Sequence, residues 1–277
     1  MIDWLEENKS YAVLILLAYY LLVVLPHEWV GKLTVLVFGQ LSRSHYNLLI
    51  ASITLVIIIV GSVFLFRKLK HGAYSKLWTF YLIANAILVA LCFYFLFVVN
   101  IEVVHFPQYA VFAILCFPLF KNTVTTLTIS TFAGALDELY QYVILTPHTS
   151  NYFDFNDVVI DLIGAAIGLL ILRIMGFTPN NNKPLNWYKS FSMVFVFCFA
   201  FILFILYQFG VVETNLSENS NAIFSFVKIP ELSFWSYPPG PPAKFHVLRP
   251  LEGCILIVAL WLFYLPLNTS KISVQIK

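Results

Sequence analysis

Of the 277 residues only 30 are charged, 16 basic and 14 acidic, or 11%, against roughly 25% in a soluble domain. With 60% of residues apolar, 17% aromatic and a mean hydropathy of +0.85, polar surface is too scarce to cover a water-soluble globule, and lipid must solvate most of the chain. The net charge of +2 is scattered rather than clustered, which excludes a nucleic-acid partner; membrane lipids are the expected partners, and nothing specifies a protein partner.

In chain order, an acidic start (Asp3, Glu6, Glu7) leads into the apolar run Tyr11 to Leu25. It lacks a basic leader region and a small-x-small cleavage site, so it is expected to stay attached as the first span. A helix needs roughly 20 residues to cross the hydrocarbon, and only helices or closed barrels satisfy their backbone there. The long apolar runs predict an all-α polytopic protein with eight spans, at 10–26, 48–66, 78–99, 102–120, 123–143, 155–175, 190–211 and 251–267. Residues 27–47 contain LTVLVFG, too short to cross and read as an outer interfacial or re-entrant piece. Three regions follow: two N-terminal spans in 1–77, a four-helix core in 78–175, and two C-terminal spans in 176–277. The last two are joined by a loop at about 212–250 rich in aromatics and proline, a length typical of lids and binding elements.

With an even number of spans both termini lie on one side. Placing them inside puts eleven Lys/Arg on inner segments (Lys9, Arg67, Lys68, Lys70, Lys76, Lys121, Arg173, Lys183, Lys189, Lys271, Lys277) and five on outer ones (Lys32, Arg43, Lys228, Lys244, Arg249). The positive-inside bias therefore predicts cytoplasmic termini. Trp78 and Trp187 are expected in the inner interfacial belt. Cys92, Cys116, Cys198 and Cys254 lie in apolar runs without paired spacing and read as free thiols.

Acidic side chains within spans are expensive and mark functional sites by default. Three consecutive spans bring polar groups to one depth: His105, Gln108 and Tyr109 on the fourth, Glu138 and Gln141 on the fifth, Asp157 and Asp161 on the sixth. On the sixth, Asp157, Asp161, Gly164 and Gly168 are spaced by 4, 3 and 4 residues and share one stripe. The GAAIG run is read as close helix packing. Thr131, Gly134, Glu138 and Gln141 form a similar stripe on the fifth. The expectation is a polar pocket open to the outer leaflet, with His105, Gln108, Tyr109, Glu138, Gln141, Asp154, Asp157 and Asp161 as ligand-binding candidates. Asp154 and Asn156 also suit N-terminal capping of the sixth helix. Asp137, about 100° round from Glu138, is expected to face water or another helix.

The order of these residues resembles the VanZ-like family of bacterial membrane proteins, whose pattern is H-F-x-x-Y, then D/E-E-x-x-Q, then F-D-x-x-D-x-x-x-N-x-x-G. This chain reads His105-Phe106-x-x-Tyr109, Asp137-Glu138-x-x-Gln141 and Phe153-Asp154-x-x-Asp157-x-x-x-Asp161-x-x-Gly164, within about residues 78–175. Asn151 stands where the family often has Arg, and Asp161 where it has Asn. The resemblance implies a bacterial inner-membrane protein acting near the cell envelope, in a family associated with glycopeptide antibiotic resistance.

Three functions compete. The first is non-catalytic binding of a lipid or envelope-precursor head group in the acidic pocket. The second is a metal-assisted intramembrane hydrolase or transferase, with Glu138 as general base and a divalent ion on His105, Asp157 and Asp161. The third, a proton-coupled transporter, is disfavoured by the absence of an internal repeat.

Overall fold

In the computed structural model the described residues are 1–26, 32–33, 36–37, 39–71, 76–98, 100–148, 150–179, 191–215, 222–229, 233–237 and 244–268. They are mostly helical: α1 (Ile2–Glu7), α2 (Lys9–Tyr19), α3 (Arg43–His71), α4 (Lys76–Phe95), α5 (His105–Phe120), α6 (Thr123–Tyr140), α7 (Phe155–Ile174), α8 (Phe191–Gln208) and α9 (Pro250–Tyr264). Wider turns with i→i+5 bonds continue α2 through Val24 and α6 through Leu145. A tighter turn at Asn100–Val104 leads into α5 and another, Leu265–Asn268, extends α9. A two-residue parallel pair, β1 (Val212–Glu213) with β2 (Phe224–Ser225), lies in the loop between α8 and α9.

Each of the eight expected spans is occupied over most of its described length by a helix. Among the described residues four helices are long and apolar enough to cross a membrane, Ser44–Leu65, Lys76–Phe95, Ile101–Phe120 and Pro250–Asn268; Lys9–Val24 and Ser192–Gln208 are shorter apolar helices. Residues 27–31, 34–35 and 38 of the expected interfacial piece, and Trp187, lie outside the described residues.

At the centre of the bundle is α7, with 17 of its 20 residues buried, as befits a helix that is apolar nearly all round. Its small-residue stripe meets α5. A side chain at Gly164 would place Cβ 2.7 Å from the Phe106 carbonyl oxygen, and one at Gly168 would run into that of Ala110. The GAAIG run is thus a contact seam between backbones, worth mainly dispersion. By contrast α3 is apolar with only 11% of its apolar stretch buried among the described residues, which fits a hydrocarbon surrounding.

Two ends are distinguishable. At one, the α5 chain turns through Lys121 in the left-handed region (φ 46°) and Asn122 caps α6 by accepting from Thr125 N at 2.9 Å. Lys121 pairs with Glu6, and Lys9 Nζ reaches the Leu119 carbonyl. Arg173 is also here, donating to Phe177 O at 2.9 Å and lying 5.2 Å over Trp78. Trp78 is therefore buried under a guanidinium, not exposed in an interfacial belt as expected, because α4 packs its first turn onto the end of α7. The other end gathers the starts of α5 and α7, the end of α6 and the 211–249 loop.

Candidate functional site

The site is built from three helix ends. Asp154 caps α7, its Oδ1 accepting from Asn156 N (2.9 Å) and Asp157 N (3.4 Å), which satisfies donors that a helix start otherwise leaves unpaired. Of the two capping candidates, Asp154 takes the role. Its placement fixes the phase of α7, so that Asp157 and Asp161, one turn apart, both face the start of α5. His105 stands there as the first residue of α5: Nδ1 is 2.9 Å from Asp161 Oδ1 and Nε2 3.7 Å from Asp157 Oδ2. From α6 comes Glu138, whose Oε1 accepts from Gln141 Nε2 at 2.7 Å. One donor atom from each of His105, Glu138 and Asp157 lies within 4.8 Å of the others.

An ionised carboxylate only accepts, so with Asp161 ionised the proton on His105 Nδ1 points at Asp161, while Nε2 faces Asp157. Asp161 fits beneath because α6 has Gly134 opposite: a Cβ there would sit 2.5 Å from Asp161 Oδ2. Asp161 Oδ2 and the Tyr109 hydroxyl are buried without hydrogen-bond partners. No lysine or arginine among the described residues pairs with Glu138, Asp154, Asp157 or Asp161. Burial, and then the neighbouring Asp157 carboxylate, push the Asp154 carboxyl up to about 7.

The cluster is less open than the sequence implies. His105, Glu138 and Asp161 are buried, whereas Asp154 and Asp157 are partly exposed, the Asp157 side chain at 16%. Beside the α7 start lie described residues of the loop between α8 and α9, held by backbone bonds from Phe153 N to Phe226 O and from Lys228 N to Asn151 O, both 2.8 Å, and by Tyr142 donating to Ser225 O at 2.7 Å.

Three side chains play parts that spacing did not give. Gln108 directs its amide donor to Val23 O (3.1 Å), while its own carbonyl accepts from the Tyr19 hydroxyl (3.0 Å), so it ties α5 to α2 and is turned from the cluster. Asp137 is buried at 1% and acts electrostatically on Tyr20 and His105. It faces a helix, the water-facing option falling away because α2 and its extension close that flank of α6; the Tyr20 hydroxyl donates to Ala133 O at 2.9 Å. Asn156 is a latch. Its Nδ2 donates to Leu96 O (3.0 Å) and His246 O (2.8 Å) and its Oδ1 accepts from Leu248 N (2.9 Å), joining the end of α4 to the loop. Those partners lie 60 to 92 residues away in the chain, beyond any local signal; an Asn in the first turn of a helix that another residue already caps was the only hint.

Imidazole and carboxylate donors suit a divalent first-row ion or a hard cation. A carboxylate on the far nitrogen of the histidine is the arrangement that orients a metal-bound imidazole. The metal set differs in one member from the sequence expectation: Glu138 joins His105 and Asp157, and Asp161 stands behind the histidine. No family model, no curated protein and no solved structure matches the chain.

Proposed function

We propose that the chain is an eight-span protein of a bacterial inner membrane, termini cytoplasmic, whose outer end holds a divalent cation on His105, Glu138 and Asp157. Through that cation it binds the anionic head group of a lipid or cell-envelope precursor. The observation that carries the reading is the convergence of one imidazole and two carboxylates within 4.8 Å, with Asp161 on the imidazole's other nitrogen. That no lysine or arginine among the described residues pairs with Glu138, Asp154, Asp157 or Asp161 supports it further, since buried like charges need a compensating cation. His105, Glu138, Asp157 and Asp161 of the VanZ-like pattern, read off three helices, meet in this one cluster, which supports a VanZ-like envelope role with a link to glycopeptide resistance.

A hydrolase or transferase is the second reading. Three protein donors leave coordination positions for water, and the partly exposed edge at Asp157 is where a substrate would reach it. In that case Glu138 is a ligand, not a free base. Elemental analysis of the full chain, purified in mild detergent, tests the site. About one divalent ion per chain is expected, lost in His105→Ala and Glu138→Gln; a chain that takes up no ion after incubation with zinc, manganese and calcium overturns it. Turnover of added lipid phosphate esters by the loaded protein separates the second reading from the first.

A further inference from the structure

The acidic cluster uses one stripe of α6; the adjoining face (Thr128, Thr131, Phe132, Ala135, Leu136, Leu139) lines a cavity of about 590 Å³. Its other walls are α8 and α9, and aromatic rings of the α7 start and of the loop, Phe153, Phe155, Phe224 and Phe226, close one end. The size is within the roughly 300–1,000 Å³ of small-molecule pockets.

The lining offers no polar group to a guest. Thr131 Oγ1 donates to Leu127 O, Thr128 Oγ1 donates to Val124 O, and Trp261 Nε1 donates to Thr128 Oγ1. Water held in a protein needs about 2–4 polar partners, so it does not settle here. An empty volume of this size forfeits dispersion contacts along its whole wall. The cavity is also continuous with the outer apolar surface: Val196, Phe199, Val258 and Leu262 line it and are at the same time exposed. The opening therefore lies sideways, between α8 and α9, and α9 is long and apolar enough to cross a membrane. The medium at that opening is hydrocarbon.

We infer that this cavity is a lateral binding site for one hydrocarbon tail of a bilayer amphiphile, acyl or isoprenoid. The tail enters between α8 and α9 and ends against the aromatic cluster beneath the loop. The inference rests on the bilayer placement of α8 and α9 and is independent of the metal centre.

The test uses the full chain in vesicles of phosphatidylcholine carrying a photoreactive group on one tail, with a photoreactive polyprenyl phosphate as the second arm. Cross-links are expected to concentrate on cavity residues of α6 and α9 relative to the exposed face of α3, and the arm that labels them identifies the tail. Ala135→Phe should lower cavity labelling about tenfold, the effect of displacing roughly two methylenes, while leaving metal content unchanged. Val258→Trp narrows the mouth from the exposed rim and should do the same should Ala135→Phe fail to fold. Equal labelling of α3 and the cavity, no labelling of either, or labelling that neither substitution lowers, overturns the inference; loss of metal uptake in His105→Ala with cavity labelling intact would leave it standing and isolate the metal site.

Discussion

Asp161 differs from the Asn of the pattern it otherwise follows, and the difference has a geometric consequence. An amide at this position can donate as well as accept, so it tolerates either imidazole tautomer. An ionised carboxylate accepts only, and its 2.9 Å bond from Nδ1 holds a proton there, so a neutral imidazole would present its lone pair on Nε2. Asp161→Asn should therefore weaken metal binding by about 10–100-fold, the usual effect of losing a carboxylate behind a metal-bound histidine, while stoichiometry stays the same. Competition with a chelating dye measures this, and unchanged affinity would remove Asp161 from the site. At Asp154 the raised carboxyl bears on stability. Its folded value, about 7, exceeds the ordinary 3.8, so its favourable contribution is complete below that ordinary value and is lost as pH rises through 7. Asp154→Asn keeps a capping side chain and should flatten the fall in melting temperature between pH 4 and 8 by an amount of order one unit of linkage, about 1.4 kcal/mol or more; an unchanged pH profile would assign the slope to other groups. Helix geometry alone sufficed to put Asp157 and Asp161 on one stripe and to match His105 and Glu138 to their depth. The roles of Gln108 and Asn156 depend on which distant carbonyls lie beside them, and no periodicity encodes that.

The eight apolar runs were legible as helices because a stretch bathed in lipid must satisfy its backbone internally, and the positions agree to within a few residues apart from α3, which runs from Arg43 to His71. Which helix is central was not legible from hydropathy, since α3 and α7 are both apolar. Small residues carry that distinction: Gly164 and Gly168 admit the α5 backbone, whereas Gly61 on α3 has open space around it. Gly168→Ala should accordingly destabilise the bundle by about 1–3 kcal/mol, the range for overpacking, while Gly61→Ala should be neutral or slightly stabilising. Thermal unfolding in one detergent compares them; equal effects would mean that the α5–α7 seam is not where the bundle is tight. The loop between α8 and α9 depends on Asn156 in the same way. Removing three hydrogen bonds with Asn156→Ala leaves buried partners at Leu96, His246 and Leu248 unsatisfied, at about 1–3 kcal/mol for such a group. The expected readout is faster proteolysis within 211–249 with the helices intact.

For the whole molecule the open quantity is orientation, which decides whether the acidic end meets the envelope or the cytoplasm. Lys9, Lys121 and Arg173 lie at the end opposite Glu138, Asp154, Asp157 and Asp161. The basic residues near span ends govern insertion, and the eleven-to-five distribution favours the basic end inside. Acidic residues contribute little to that choice, so in the proposed orientation the cluster would be carried outward by the bundle instead of directing it. Thr178, just beyond α7, and Thr214, just beyond α8, are both exposed and sit on opposite sides in this arrangement. In a background with all four native cysteines replaced, Thr214→Cys should react with a membrane-impermeant maleimide on intact cells, and Thr178→Cys should react only after permeabilisation. The reverse pattern would turn the cation site toward the cytoplasm and end the envelope-facing reading, while labelling of both in intact cells would contradict an odd number of crossings between them. The first outcome would place the partly exposed Asp157 edge in the outer leaflet, where an anionic head group can approach a bound cation without crossing the bilayer.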